Sequence, residues 1–360
     1  MGFLSYIDKN QIQISTKLLL GLYGLDYISS KYSPTIHSIT SKFLHLQPNT
    51  QYGSDFYDID VSDSFCVAYW VVLLTFLRST LMQCCFMPVA KRLCGIQSKK
   101  AKVRFAEQSW SVVYYCVSFA LGFYLYYHSP YWNDLDHIFI GWPHDHMSPL
   151  LKKYYLVSIA FWLQQVLVLN IEERRKDHVQ MFSHHIITCA LVIGSYYYYF
   201  NRIGNLILII MDSVDIFLST AKVLKYSGFS RICDVMFLFF LVSWVILRHG
   251  VYNYLFYHSW KYSTILMKDS QCIPGLQQKR CWTPTIINTF LVLLGGLQFI
   301  TCIWMYLILK VALKVIRGQS AEDVRSDADD TDVEEQTEQE DSREGTDSSV
   351  ETITEMDEKN

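Results

Sequence analysis

Two consecutive apolar stretches near the middle of the chain decide the fold. They are residues 178–200, HVQMFSHHIITCALVIGSYYYYF, and residues 203–224, IGNLILIIMDSVDIFLSTAKVL. Each is long enough to cross the hydrocarbon core of a bilayer, which takes about 20 mostly apolar residues in a helix. Only a short turn separates them, so we expect two antiparallel helices that are neighbours in a membrane.

The same composition extends along most of the chain. Hydrophobic residues make up 51% of the 360 residues and charged residues only 18%, whereas an ordinary soluble domain has about 25% charged residues. Five more segments fit a membrane span: residues 64–87, 109–128, 153–171, 232–258 and 284–312. Residues 15–33 are a weaker candidate that could span the membrane or lie in its interface. The sequence therefore predicts an all-α integral membrane protein with 7–8 transmembrane helices.

Positive charge predicts the orientation of these helices, because Lys and Arg concentrate in short cytosolic loops. Residues 91–104 carry six Lys and Arg and no acidic residue, whereas residues 129–151 carry no Lys or Arg. We therefore place the first of these loops in the cytosol and the second in the lumen. Helix counting also places loop 259–283 in the lumen, although it carries four basic residues.

Residues 318–360 form a separate acidic segment. They hold 17 acidic and three basic residues, a net charge of −14, and no Phe, Trp or Tyr, while residues 1–317 carry +11. Such a segment cannot bury enough apolar surface to fold, so we expect a disordered tail. Several hydroxyl residues in it, including the six named next, have an acid three positions later, which favours a phosphoprotein; a passive solubilising tail is the alternative. The six are Ser320, Thr331, Thr337, Ser348, Thr352 and Thr354.

We divide the chain into four parts on this basis. Residues 1–63 are an N-terminal segment with a possible first span and a lumenal loop. Residues 64–105 are a transmembrane helix with its basic cytosolic loop. Residues 106–317 are the expected catalytic domain, and residues 318–360 are the acidic cytosolic tail.

Four ionisable residues lie at membrane depth, where charge is expensive and usually functional. His184 and His185 lie about 10 Å from the cytosolic end of their helix, Asp215 about 10 Å from the end of the next helix, and Asp212 about 15 Å. A carboxylate beside an imidazole orients the ring and stabilises the imidazolium, which favours a general base or a nucleophile. The alternatives are a structural hydrogen bond between helices and a metal site, for which the ligand spacing is poor.

Two arginines also lie inside apolar segments. Arg248 shares a helical stripe with Trp244 and Tyr252. It could contact a phosphate or carboxylate, or pair with an acid inside the bundle; for Arg78 the second reading is favoured. The basic residues between 99 and 104 could attract the phosphates of coenzyme A, or could serve only topology and anionic lipid.

Several of these stretches resemble one known family. Residues 175–188, RKDHVQMFSHHIIT, together with residues 211–218, MDSVDIFL, and residues 221–226, AKVLKY, are similar to the Lag motif of the TLC-domain family. Residues 99–110, KKAKVRFAEQSW, are similar to the entry of that domain in fungal ceramide synthases. The resemblance covers about residues 50–317, and the combination of a double histidine with D-x-x-D is its specific part.

The resemblance implies a fold and an activity. The implied fold is a TLC-type barrel of six helices around an apolar tunnel. The implied activity is N-acylation of a sphingoid base, dihydrosphingosine or phytosphingosine, by a long or very-long-chain acyl-CoA in the endoplasmic reticulum membrane. Acyl-CoA would be a co-substrate, and no other cofactor and no nucleic acid are expected.

The resemblance also implies site residues and partners. The expected catalytic residues are His184, His185, Asp212 and Asp215. The expected substrate-binding residues are Trp110, Arg175, Lys176, Asp177, Tyr226, Trp244 and Arg248. A small single-span subunit, membrane lipid and a second synthase chain are expected partners. Two other functions stay open, a non-enzymatic lipid-sensing or membrane-insertion protein and a proton-coupled transporter.

Two cysteines differ from the other eight because both fall in the expected lumenal loop. Cys272 and Cys281 are separated by eight residues that include Pro274 and Gly275. These two residue types favour a turn that would bring the thiols together. The oxidising lumen would keep a disulfide between them, and two free thiols are the alternative.

The tail yields the first prediction. A chain truncated after Arg317 should keep its amide-forming activity but lose regulation by phosphorylation, because the tail lacks the apolar residues of a catalytic core. The measurement is amide formation from acyl-CoA and a sphingoid base, with and without an acid-directed kinase. An inactive but folded truncation would show that the tail belongs to the catalytic unit.

Overall fold

The computed structural model describes residues 6–7, 9–46, 57–172, 177–278 and 280–316, which form helices joined by turns and short loops. The acidic segment 318–360 and the site candidates Arg175 and Lys176 lie outside these described residues. The helices are α1 (Gln11–Tyr32), α2 (Pro34–Leu44), α3 (Asp63–Leu81, continued by a π-helical turn Met82–Phe86 and by Met87–Arg92), α4 (Lys99–Tyr127), α5 (Pro149–Ile171), α6 (His178–Tyr197), α7 (Asn201–Tyr226), α8 (Ser230–Ser243), a π-helix (Trp244–Val251), α9 (Tyr252–Leu266) and α10 (Pro284–Ile316).

Local sequence signals set several helix ends. The hydroxyl of Ser148 accepts a hydrogen bond from the backbone N–H of Leu151 at 3.2 Å, and Pro149 occupies the first position of α5. A serine cap followed by proline satisfies exposed N–H groups and pre-sets the helical φ. Gly228, with φ of 79°, follows α7, and this left-handed conformation lets the chain reverse into α8.

Within the described part of the chain, four helical stretches are long and apolar enough to cross a membrane: Asp63–Arg92, Pro149–Ile171, Ser230–Leu266 and Pro284–Leu313. The structure therefore has the all-α architecture of a membrane protein. The other expected segments also form helices, namely α1, α4, α6 and α7. The histidines of α6 and the aspartates of α7 reduce the mean hydropathy of those helices.

The described residues fall into two compact units, one within Met1–Glu173 and Val179–Thr301 and the other within Arg174–His178 and Cys302–Asn360. In the first unit, α7 packs closely on α4 and on α8, and α3 packs on α5. α6 and α7 are neighbours, as expected from the short turn between them: Leu191 of α6 and Met211 of α7 belong to one buried apolar cluster. Both helices also line one cavity.

Aromatic residues of two loops join the ends of α7 and α9 in one cluster, the loop cap. Its buried members include Phe139 and Trp142 from the loop after α4, and Trp282 from the loop after α9. The side chain of His258 on α9 lies 2.8 Å from a carboxylate oxygen of Asp136, which fastens the first loop to the helix. The packed aromatic rings of the cap therefore cover the end of α9 and the beginning of α7.

Cys272 and Cys281 are joined by a disulfide in the structure, with their Cα atoms 4.8 Å apart. The backbone N–H of Cys272 donates to the carbonyl oxygen of Trp282 at 3.0 Å. The covalent link and this hydrogen bond hold the two strands of the α9–α10 loop together beside the cap.

The excess positive charge of this loop has a structural reason. Arg280 forms ion pairs with both Asp58 and Asp145. Tyr199 donates a further hydrogen bond to the Asp58 carboxylate at 2.6 Å. The charge of Arg280 is therefore balanced by carboxylates of two other loops, so its presence on this side does not contradict the orientation that the remaining loops indicate.

One fully buried ion pair fixes α5 against α3. The Lys152 ammonium, with no exposed side-chain surface, lies 2.7 Å from a carboxylate oxygen of Asp63. It also donates to the carbonyl oxygen of Asp58 at 2.7 Å, and Tyr196 on α6 donates to the other Asp63 oxygen at 2.7 Å. Each charge is thus compensated by several partners, which a buried ion pair requires.

The buried pair yields the second prediction. Lys152→Met should destabilise the protein by about 3–5 kcal/mol, because it leaves the Asp63 carboxylate buried without a cation. Lys153→Met is the matched control, since Lys153 is exposed and its ammonium lies 5.7 Å from the ring of Trp70. Thermal melts in detergent measure both variants. The double variant Lys152→Met, Asp63→Asn should recover part of the loss, and equal shifts for both lysines would contradict the assignment.

Candidate active site

A mostly apolar cavity, whose empty space together with its opening to the outside is about 900 Å³, lies within the first unit, between α6, α7, α9 and the beginning of α10. Its apolar walls suit a hydrocarbon chain. At one end it meets the loop cap through Phe139 and Phe200, and at the other end it meets charged side chains. The lining residues with polar or ionisable side chains are Tyr155, Trp162, His184, Thr188, Ser195, Asp215, Arg248, Ser259 and Ser263.

His184 lines the cavity, and its neighbour on α6 turns away from it. Successive residues of an α-helix point about 100° apart, so only one of two adjacent histidines can face a given cavity. His185 is 6% exposed, and its Nδ1 lies 2.6 Å from the carbonyl oxygen of Met181. That carbonyl can only accept, so Nδ1 of His185 carries the proton.

Trp162 of α5 contacts both histidines. Its ring centroid lies 5.7 Å from that of His184 and 5.5 Å from that of His185. The indole thereby limits how far either imidazole can rotate. The sequence analysis missed this residue, because a tryptophan in an apolar helix normally indicates only packing.

Asp215 also lines the cavity, and the ion pair that the structure shows for it is with Arg248. The guanidinium Nη2 lies 2.6 Å from a carboxylate oxygen of Asp215 and donates to the carbonyl oxygen of Met211 at 3.2 Å. Arg248 is 4% exposed, so its charge requires a partner at this depth. Of the two readings left open for Arg248, the structure shows pairing with an acid of the bundle, on the wall of the cavity.

Asp212 is separated from this group although it lies only three residues before Asp215. It is 2% exposed and faces Ser118 of α4 instead of lining the cavity. The two aspartates are expected on one helix face, but Asp212 faces α4 and Asp215 faces the cavity, because α4 packs against α7 at the level of Asp212.

Trp244 lies behind Arg248, at the beginning of the π-helix. It is 1% exposed, and its ring centroid lies 4.3 Å from the guanidinium carbon of Arg248. A desolvated cation on an indole face is stabilised by the ring quadrupole, by about 2 kcal/mol. Trp244 thus holds Arg248 from the side opposite the cavity. The helical stripe of Trp244 and Arg248 is the sequence signal that pointed to this contact.

Among the described residues, three further expected substrate-binding residues, Trp110, Asp177 and Tyr226, do not line this cavity. Trp110 is buried in the core cluster that also contains Trp162, and Tyr226 packs near Phe105 at the end of α7. Asp177 occupies the turn before α6. Their contact with substrate stays a prediction.

The cavity end near Asp215 is also the end where the basic segment lies. Val223 and Tyr226 at the end of α7 pack against Ala90, Ile96 and Phe105, which flank the beginning of α4. Lys99 and Lys100 are exposed there. The charged wall of the cavity and the basic segment therefore lie toward the same end of α7.

Comparison with known proteins shows the family of the chain. The family profile of the TLC domain matches residues 104–310. A sphingosine N-acyltransferase-like protein of Alternaria alternata is 41% identical over 290 residues, which cover 72% of this chain and 66% of the relative. The sphingosine N-acyltransferase lag1 of Schizosaccharomyces pombe is 39% identical over 84% of this chain and 76% of its own length.

A third relative extends the similarity to budding yeast. The ceramide synthase LAG1 of Saccharomyces cerevisiae is 34% identical over 77% of this chain and 67% of its own length. The matched part contains His184, Asp215 and Arg248, which lie inside the region of the family profile. On the profile match and these relatives, the chain belongs to the TLC domain family.

Proposed function

We propose that the protein is a ceramide synthase, which transfers the acyl group of a long or very-long-chain acyl-CoA to the amine of a sphingoid base. The observation that carries the proposal is the placement of His184 and the Asp215–Arg248 pair on the wall of an otherwise mostly apolar cavity. The names of the fungal relatives, sphingosine N-acyltransferase and ceramide synthase, support an acyltransferase that acts on a sphingoid base.

The two ends of the acyl-CoA are proposed to lie in different surroundings. The acyl chain occupies the apolar part of the cavity toward the loop cap, which places the thioester near His184. The charged coenzyme A stays outside, next to Lys99, Lys100 and Lys102. This arrangement keeps phosphate groups in water and the hydrocarbon out of it.

Two routes of acyl transfer fit this placement. In the first, His184 attacks the thioester carbonyl, the C–S bond breaks, coenzyme A leaves, and the sphingoid amine then attacks the acyl-imidazole to release the free histidine. In the second, His184 takes the proton of the amine as the amine attacks the thioester directly. Both routes form one amide bond and release coenzyme A as its thiol.

Asp215 is proposed to stabilise the imidazolium of His184, and Arg248 to hold the Asp215 carboxylate in place. His185 keeps its proposed role in positioning, which its hydrogen bond to Met181 and its contact with Trp162 support. Asp212 is proposed to act from within the α4–α7 interface, as a proton shuttle rather than as a group that contacts the acyl chain.

The setting of the enzyme follows from the same proposal. We expect 7–8 spans in the endoplasmic reticulum membrane, six of them around the cavity as a barrel, with residues 318–360 in the cytosol. Membrane lipid surrounds the apolar helix faces. A small single-span subunit and a second synthase chain, identical or related, are the proposed protein partners.

The third prediction concerns His184. His184→Ala should lower amide formation by about 10²–10⁴-fold, because either route requires its imidazole. Asp215→Asn should also cause a large loss, since an amide cannot stabilise an imidazolium. Product is measured by mass spectrometry with purified protein, a sphingoid base and acyl-CoA.

The matched control for this experiment is His146→Ala, since His146 is an exposed histidine in the loop after α4. It should keep normal turnover. Near-normal turnover by the His184 variant would remove this histidine from the mechanism, and absence of product from the unmodified protein with every acyl-CoA length would contradict the proposed activity.

The fourth prediction separates the two routes. If an acyl-imidazole forms, protein incubated with acyl-CoA alone should carry the mass of one acyl group on the peptide that contains His184, and adding a sphingoid base should remove it. His184→Ala should abolish the adduct. An active enzyme that never shows the adduct in rapid-quench experiments would favour direct attack by the amine.

A further inference from the structure

The π-helix between α8 and α9 places three functional side chains together. In an α-helix, residues five positions apart point about 140° away from each other. A π-helix makes i→i+5 hydrogen bonds, so such residues come to lie on the same face. Trp244 and His249 are five residues apart in the π-helix Trp244–Val251, and Arg248 lies between them. Trp244 therefore contacts both of its partners at once.

The hydrogen bonds around His249 fix its tautomer. The indole Nε1 of Trp244 lies 3.1 Å from Nε2 of His249. An indole N–H can only donate, so Nε2 accepts and the proton of the neutral imidazole is on Nδ1. The amide nitrogen of Gln298 is placed 2.9 Å from Nδ1; because this Nδ1 carries the proton, we exchange the two ends of the amide, so that its oxygen accepts from the N–H.

Gln298 is held in the same orientation from α10. The Thr301 hydroxyl donates to the backbone carbonyl of Gln298 at 2.8 Å and lies 3.2 Å from the end of the Gln298 amide. With the amide oxygen on His249, the amide N–H₂ faces Thr301, whose oxygen can accept. The hydrogen bonds from Thr301 through His249 to Trp244 are therefore mutually consistent.

We propose that His249 is a positioning residue for acyl transfer, which holds the Trp244 indole so that Arg248 keeps the Asp215 carboxylate aimed into the cavity. Four contacts connect Gln298 to Asp215. The Gln298 amide lies 2.9 Å from Nδ1 of His249, and Nε2 of His249 lies 3.1 Å from the indole Nε1 of Trp244. The ring centroid of Trp244 lies 4.3 Å from the guanidinium carbon of Arg248, whose Nη2 lies 2.6 Å from a carboxylate oxygen of Asp215. This inference rests on the proposed function.

His249 does not line the cavity, so it acts through Trp244 and not on the substrate. The hydrogen bond from its N–H adds to the packing that orients the buried indole, and a change in this orientation would shift the ring face relative to Arg248. A carboxylate displaced by about 1 Å from its working position can cost about 10²-fold in rate. The expected consequence of losing His249 is thus a lower kcat.

The experiment compares three substitutions in the full-length protein. His249→Ala should lower kcat by about 10–100-fold and leave the KM for acyl-CoA within about twofold, because the cavity walls are unchanged. His249→Gln should restore most of the rate, since its amide oxygen can accept the indole N–H. Trp244→Phe keeps a ring face for Arg248 but removes the donor, so adding His249→Ala to it should cause little further loss.

Tyr254→Phe is the control, because Tyr254 is exposed on α9 near the π-helix. It should match the unmodified protein in rate and melting temperature. If His249→Ala does not fold, the pair His249→Gln and Trp244→Phe still decides the matter. A kcat unaffected by His249→Ala, no rescue by glutamine, or additive losses with Trp244→Phe would each overturn the positioning role. An active protein that depends on His184 but fails these tests refutes this inference alone, whereas an inactive unmodified protein refutes the proposed function.

Discussion

The ion pair between Arg248 and Asp215 is the interaction on which the site depends. Both charges lie among apolar helices, where an unpaired charge would cost several kcal/mol. Each charge compensates the other, so the pair brings two polar groups to the wall of a mostly apolar cavity without adding a net charge. The neighbouring histidine then has a charged group within the same cavity.

The cavity lies between helices that also pack on one another. α6 and α7 are joined by a turn of three residues, and Leu191 of α6 and Met211 of α7 share one buried apolar cluster. At the turn they are held together, since Phe200 donates its backbone N–H to the carbonyl of Ser195 at 2.8 Å and Tyr155 donates to the carbonyl of Asn201 at 2.9 Å. Both helices also contribute side chains to the cavity wall, His184 from α6 and Asp215 from α7. The polar groups of the site thus reach one apolar cavity from two neighbouring helices.

The sequence predicted the helices and the chemistry of the site better than its geometry. Apolar length placed α3 to α10 because membrane helices must satisfy their backbone internally, and membrane depth singled out His184 and Asp215 because charge is rare there. It could not predict that Asp212 turns toward α4. A spacing of three residues places two side chains on one side of a helix, but it does not show which neighbouring helix each side chain meets. The sequence also could not predict Trp162, His249 or Gln298, whose roles depend on a π-helix and on contacts between distant helices. Single-residue shifts of helical register have no clear sequence signal.

The loop cap has a consequence for the length of hydrocarbon that the protein can hold. Phe139, Phe200 and Ile287 belong both to the cap and to the cavity wall. The cap is fixed covalently by the disulfide of the following loop and electrostatically by Arg280 between two carboxylates. These contacts hold the residues that form this end of the cavity. In the proposed arrangement, the distance from His184 to Phe139, Phe200 and Ile287 sets the length of the acyl chain that fits, and the bulk of these residues is what a change in accepted chain length would alter.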